Sequence, residues 1–199
     1  MAPGLARAHH PLGSLAPETL WQGFASGIAH PVIGLDHLAF VLAAGVLAAT
    51  LRGRAGAVTL LGFLACGVAG SLLHLAGVGL GPVEAVVAGS ALLAGAVLLF
   101  GRGGALADNR TALVTAGFAL AGLFHGHAFA EAVVAAQPGP IGAYLLGLAL
   151  IQGALGFGAM ILARSLARPP ATPDLLAGRA VGAAAALVGA VSLAVAIIA

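Results

Sequence analysis

Residues 55–83 read AGAVTLLGFLACGVAGSLLHLAGVGLGPV, 29 positions in a row without a formal charge. A helix needs about 20 apolar residues to cross the ~30 Å hydrocarbon core of a bilayer. This stretch therefore holds one whole span and ends in a Gly-Pro turn. The pattern recurs along the chain: uncharged runs cover 17 residues at 85–101, 20 at 111–130, 32 at 132–163 and 20 at 180–199. The longest is cut by Gln137-Pro138-Gly139-Pro140, which predicts a helix starting near Ile141. The first apolar region, 19–51, would measure about 50 Å as one straight helix. It contains His30-Pro31, Gly34 and Asp36-His37. It reads as a short helix over 19–29, a break at His30-Pro31, and a span over 32–51. The fold class is thus an all-α integral membrane protein of six spans: 32–51, 55–78, 83–101, 111–134, 141–164 and 177–198.

Composition supports this reading. Only 14 of 199 residues are charged, 7% of the chain, and 61% are hydrophobic; mean hydropathy is +1.10. A soluble domain carries roughly 25% charge and has too little interior to hide so much apolar surface. The eight basic residues are all Arg. Without Lys there is no phosphate-binding Walker loop, so nucleotide binding is excluded. The 31 glycines read instead as small residues that let helices approach closely, within one chain or between copies in a homo-oligomer. One cysteine, Cys66, permits neither an internal disulfide nor a CxxC site. Arg scattered between apolar runs does not make a nucleic-acid patch.

The arginines orient the spans. Arg52 and Arg54 follow span one, Arg102 and Arg110 follow span three, and Arg164, Arg168 and Arg179 follow span five. The positive-inside rule makes that side cytoplasmic. Both termini are then extracytoplasmic, in a multi-pass protein of the bacterial cytoplasmic (inner) membrane. Residues 1–18, with His9 and His10, are expected as a flexible extracytoplasmic tail, and 19–199 as a single transmembrane domain. The tail lacks the basic start and apolar core of a signal peptide.

With the helices oriented, the remaining ionisable residues gather on the outer side. They are His30, Asp36 and His37 in span one, His74 in span two, Glu84 opening span three, and His125, His127 and Glu131 in span four. Such groups are costly in a membrane and usually face a cavity, a partner or an ion path. His30 and His37, seven apart, share a face of a continuous helix; the break can bring their rings and Asp36 closer. His127 and Glu131, four apart, face one way, whereas His125 points elsewhere. Imidazole with carboxylate and no thiolate suits Ni²⁺, Co²⁺ or Zn²⁺. Blander roles exist for single members: Asp36 as a helix cap, Glu84 as an acid in a first turn, His74 as a helix–helix hydrogen-bonding group. Ser71 and Ser90 are expected to bond to their own backbone, Trp21 and Tyr144 to anchor at the interface, and Gln152 to line a pathway or bridge helices.

Two stretches carry a family resemblance. Residues 27–38, GIAHPVIGLDHL, resemble the signature of the HupE/UreJ family, small membrane proteins associated with hydrogenase and urease maturation and regarded as nickel or cobalt permeases. Residues 124–132, FHGHAFAEA, the Pro138–Pro140 turn and residues 143–152, AYLLGLALIQ, agree with it. The resemblance implies that His30, Asp36, His37, His125 and Glu131 line the metal site, with His127 nearby.

The leading expectation is therefore uptake of a divalent transition metal from the outer side, with no prosthetic group and no ATP drive. A membrane zinc hydrolase using Glu131 or Asp36 as base is an alternative, although no HExxH motif is present. A bis-His haem protein with His74 and His125 as axial ligands is another.

Overall fold

In the computed structural model, residues 16–101, 108–166 and 175–198 are described. The first fifteen residues of the expected tail, with His9 and His10, lie outside them, as do Arg102 and Arg168. Among the described residues seven helices form: α1 (Leu20–Ile33), α2 (Leu35–Ala49), α3 (Ala55–Leu75), α4 (Val83–Phe100), α5 (Asp108–Ala130), α6 (Pro138–Leu166) and α7 (Leu175–Ile198), with a 3-10 turn at Glu131–Val133 after α5. The helices from α3 to α7 are each long and apolar enough to cross a membrane, and the α1–α2 pair, bent by 78°, makes the sixth span when counted as one. Large side chains such as Leu61, Leu93, Leu120, Leu150 and Leu187 are more than half exposed. An apolar outer face of this kind requires lipid around it.

Several ends differ from expectation by a few residues, as at Leu75 and Asp108, and two differences have a physical reason. The break in the first span falls at Gly34, not at His30-Pro31: α1 runs through Pro31, and Gly34 N–H closes the helix on the His30 carbonyl at 3.0 Å. Proline costs one hydrogen bond inside a helix, which helix-packed membrane proteins tolerate. Gly34 is where the chain turns (φ −74°, ψ 96°), and a Cβ there would lie 2.9 Å from His37 Cδ2. The missing side chain lets the His37 ring fold over the break. The second difference is that α6 begins at Pro138, three residues before Ile141. Proline in a first helical turn loses only an N–H that has no partner there.

Close backbone contacts set the directions of the helices. A Cβ on Gly122 would collide with the Phe63 carbonyl, one on Gly126 with that of Gly67, and one on Gly70 with that of Leu123. Helices α3 and α5 therefore run parallel, nearly backbone to backbone, as small residues permit in lipid. Gly182 meets Leu98 while Gly189 meets Leu92, so α4 and α7 are antiparallel. Helix α6, 29 residues and about 43 Å long, carries α1 along its first half (Gly27 on Tyr144) and α2 along its second (Gly45 on Gly156). The Gly34 bend thus sits near the middle of the longest helix. Arg164 Nη2 reaches the Leu51 carbonyl at 3.2 Å and the Ala48 carbonyl at 3.5 Å, closing off the end of α2. This alternation gathers Arg52, Arg54, Arg164 and Arg179 toward one end of the bundle and the histidines toward the other.

Candidate metal centre

Among the five membrane histidines two ring-to-ring pairs form, and His30 lies beside them. His37 on α2 and His125 on α5 meet through their Nδ1 atoms at 2.8 Å, both buried. His125 Nε2 lies 2.9 Å from Ser90 Oγ on α4, and that hydroxyl donates to the Val87 carbonyl at 2.7 Å. A carbonyl can only accept, so both bonds are made only if His125 Nε2–H donates to Ser90. Neutral His125 then has a bare Nδ1, which accepts from His37 Nδ1–H.

The second pair lies at the end of the bundle. His74, one residue before the end of α3, and His127 on α5 approach through Nδ1 atoms at 3.1 Å. His127 Nε2–H donates to the Val78 carbonyl at 2.9 Å, in the α3–α4 connection. His74 Nε2 stands 3.2 Å from Glu131 Oε2, an ion pair whenever His74 is protonated. His125 and His127 are two residues apart, so α5 presents them to opposite sides, one to α2 and α4, the other to α3.

His30, at the end of α1, donates from Nδ1 to Tyr144 Oη at 2.8 Å, since that hydroxyl already donates to the Phe129 carbonyl at 2.8 Å. The Phe129 ring lies between the two parts of the broken span, 5.2 Å from the His30 ring centroid and 4.0 Å from that of His37. Tyr144 is fully buried, so the expected interfacial anchor is in fact a core hydrogen-bonding group; Trp21 is exposed. In neutral His30, His125 and His127 alike, one ring N–H is committed to a protein acceptor and the other nitrogen is unprotonated. Metal-ligating histidines are oriented in this way.

The carboxylates are less concentrated. Asp36, half-buried in the first turn of α2, accepts the His37 N–H at 2.9 Å; Gly34 occupies the N-cap position. Glu131 sits in the 3-10 turn, exposed beside His74, and Glu84 is exposed in the first turn of α4. Among the described residues, no three His, Cys, Asp or Glu side chains converge on one point as a ready coordination set. The expected single cluster is therefore spread over two levels. His74 and His125, considered as axial haem ligands, each pair with a different histidine.

Sequence reasoning missed Ser90, Ser71 and Tyr144. Ser71 does not bond to its own helix: its hydroxyl donates to the Gly126 carbonyl of α5 at 2.7 Å. Ser90 does bond to its own backbone, but it also holds His125. A hydroxyl amid apolar residues was the available signal; its partner on another helix was not. Toward the arginine end, Phe40 packs on His125 at 4.5 Å, on Phe63 at 5.4 Å and on Phe118 at 6.0 Å between centroids. Past these rings, buried Gln152 lines an apolar crevice with Val41, Leu60, Phe63 and Gly156.

The family described as HupE / UreJ protein matches residues 1–192, which take in α1 to α6 and most of α7. The chain is also similar to Protein HupE of Rhizobium leguminosarum bv. viciae, 31% identical over 125 residues that cover 63% of this chain and 59% of that protein. The aligned part thus spans less than two thirds of the curated relative. No solved structure matches the chain. On the extent of the family match, the chain belongs to the HupE/UreJ family.

Proposed function

We propose that this protein is a permease, not an enzyme, for uptake of a divalent transition metal across the bacterial cytoplasmic membrane. Nickel is the leading ion and cobalt the alternative. The observation that carries the reading is the commitment of one nitrogen in each of three rings: His30 to Tyr144, His125 to Ser90 and His127 to Val78. It presents unprotonated imidazole nitrogen on helices that otherwise bury apolar side chains. Imidazole and carboxylate together select borderline divalent ions. Membership of the HupE/UreJ family points the same way.

The metal donors are His37 and His125, with His30 and Asp36 beside the break, and His74, His127 and Glu131 at the bundle end; Glu84 adds negative charge at the same mouth. The histidine end faces outward and the arginine end faces the cytoplasm, with both termini outside. A broken helix whose two halves meet near mid-membrane is a recurrent way to build an ion site in transporters. The Phe40, Phe63 and Phe118 rings close the inward side, so transfer requires movement of α2 about Gly34. Transport is channel-like or coupled to an ion gradient.

The test is uptake of radioactive Ni²⁺ by cells expressing His30→Ala and His37→Ala variants at wild-type membrane levels. Both are expected to lose uptake. Normal transport by both would overturn the reading.

A further inference from the structure

The geometry points to a second metal-binding station, formed by His74, His127 and Glu131, that takes a borderline divalent cation independently of the buried His37–His125 pair. It deepens the permease reading and depends on it only for the direction of flow.

Distance is the first argument. Nitrogen ligands sit about 2.0–2.1 Å from a first-row divalent ion, so two ligands at 90° are about 2.9 Å apart and two at the tetrahedral angle about 3.3 Å. The Nδ1 atoms of His74 and His127 are 3.1 Å apart, within that bite, with the rings edge to face at 74°. A metal ion can take the place of the proton between them without movement of the helices, that proton passing to His74 Nε2 beside Glu131.

Orientation is the second. The Val78 carbonyl takes the Nε2–H of His127 and leaves its Nδ1 lone pair toward His74. The backbones of α3 and α5 are held at contact by Gly70 and Gly126 and stapled by Ser71 to the Gly126 carbonyl, so the two rings cannot drift apart. The third is the carboxylate. Glu131 is 3.2 Å from the far nitrogen of His74, and its side chain is 59% exposed, so it can swing from the ring to a cation beside it.

Access and depth separate this station from the buried pair. His74 is 20% exposed, whereas His125 is completely buried. Ser90, which holds His125, lies seven residues into α4, about 10 Å along the helix axis. A partly exposed His74 and an exposed carboxylate in front of buried His127 suit first capture of a hydrated ion; two buried imidazoles suit its later dehydration.

The experiment is a Co²⁺ titration of the purified full chain in detergent, read by visible d–d absorption and calorimetry. Wild type is expected to bind one equivalent of Co²⁺ more than a His74→Ala/His127→Ala variant. The His37→Ala/His125→Ala variant is expected to keep the equivalent that depends on His74. His9 and His10 contribute equally to all of these and cancel in the comparison. Glu131→Gln, which leaves both rings in place, is expected to weaken this site about tenfold or more. Equal stoichiometry in wild type and the monodisperse His74→Ala/His127→Ala variant overturns the station, as does unchanged affinity in Glu131→Gln. Failure of the permease reading looks different: the His74-dependent equivalent binds normally, but cells take up no Ni²⁺.

Discussion

Ser90 Oγ on α4 accepts the Nε2 proton of His125 on α5 at 2.9 Å, because its own proton is given to the Val87 carbonyl. One hydroxyl thereby decides which nitrogen of a fully buried imidazole faces His37.

Ser90→Ala removes that acceptor. The Nε2–H of His125 is then buried without a partner, and the ring is free to switch tautomer or turn. Loss of such an outer contact typically costs 10- to 100-fold in metal affinity. The expected outcome is a rise of about tenfold or more in the KM for Ni²⁺ uptake at equal membrane levels, with Ser90→Thr restoring it. An alanine variant with wild-type KM would show that the hydroxyl does not position the ring.

Tyr144→Phe tests the equivalent contact on α1. The phenol both accepts from His30 Nδ1 and donates to the Phe129 carbonyl, so its loss strands two buried polar groups at once. An unsatisfied buried group costs about 1–3 kcal/mol. A lower thermal midpoint in detergent is expected, together with weaker Ni²⁺ uptake. An unchanged midpoint would mean that water replaces the hydroxyl and that His30 is not held by Tyr144.

Which parts of this arrangement were legible beforehand follows from their physical origin. Bilayer thickness fixes span length, so the uncharged runs located α3, α4, α5 and α7 to within a few residues. Ionisable groups are rare in lipid, so the gathering of His30, His37, His74, His125 and His127 toward one end was legible as well. Spacing alone also separated His125 from His127, since residues two apart on a helix diverge. What pairs with what was not legible. The parallel contact of α3 and α5 places His127 against His74, and the position of α4 places Ser90 against His125; neither is encoded locally. The break falls at Gly34, where the missing side chain leaves room for the His37 ring, a contact that proline-based reasoning does not contain.

That contact gives a prediction of its own. At Gly34 φ is −74°, open to any residue, so Gly34→Ala carries no backbone strain. Its cost is the 2.9 Å approach of the new Cβ to His37 Cδ2. Overpacking of this kind costs about 1–3 kcal/mol and here displaces a proposed ligand. A modest fall in thermal midpoint with a severe loss of Ni²⁺ uptake is expected. If uptake survives, the His37 ring is not required where the structure places it.

Acidification acts on both histidine pairs in the same direction. In each pair a proton lies between two Nδ1 atoms, 2.8 Å apart at His37–His125 and 3.1 Å at His74–His127. A metal ion bound between two neutral rings shifts that proton to the far nitrogen of the donor ring, whereas one further proton makes an imidazolium that cannot ligate, so metal and added protons compete. Lowering the pH supplies the competitor: each added proton favours the metal-free pair, and affinity falls. Ni²⁺ uptake at subsaturating metal should therefore decline as the medium is acidified from neutral pH. Saturating metal should recover part of the rate, because the competition is for one position. Measuring uptake against Ni²⁺ concentration at several pH values separates this from a gradient effect: competition raises KM at constant maximal rate. A pH-independent KM would remove protonated histidine from the transport step.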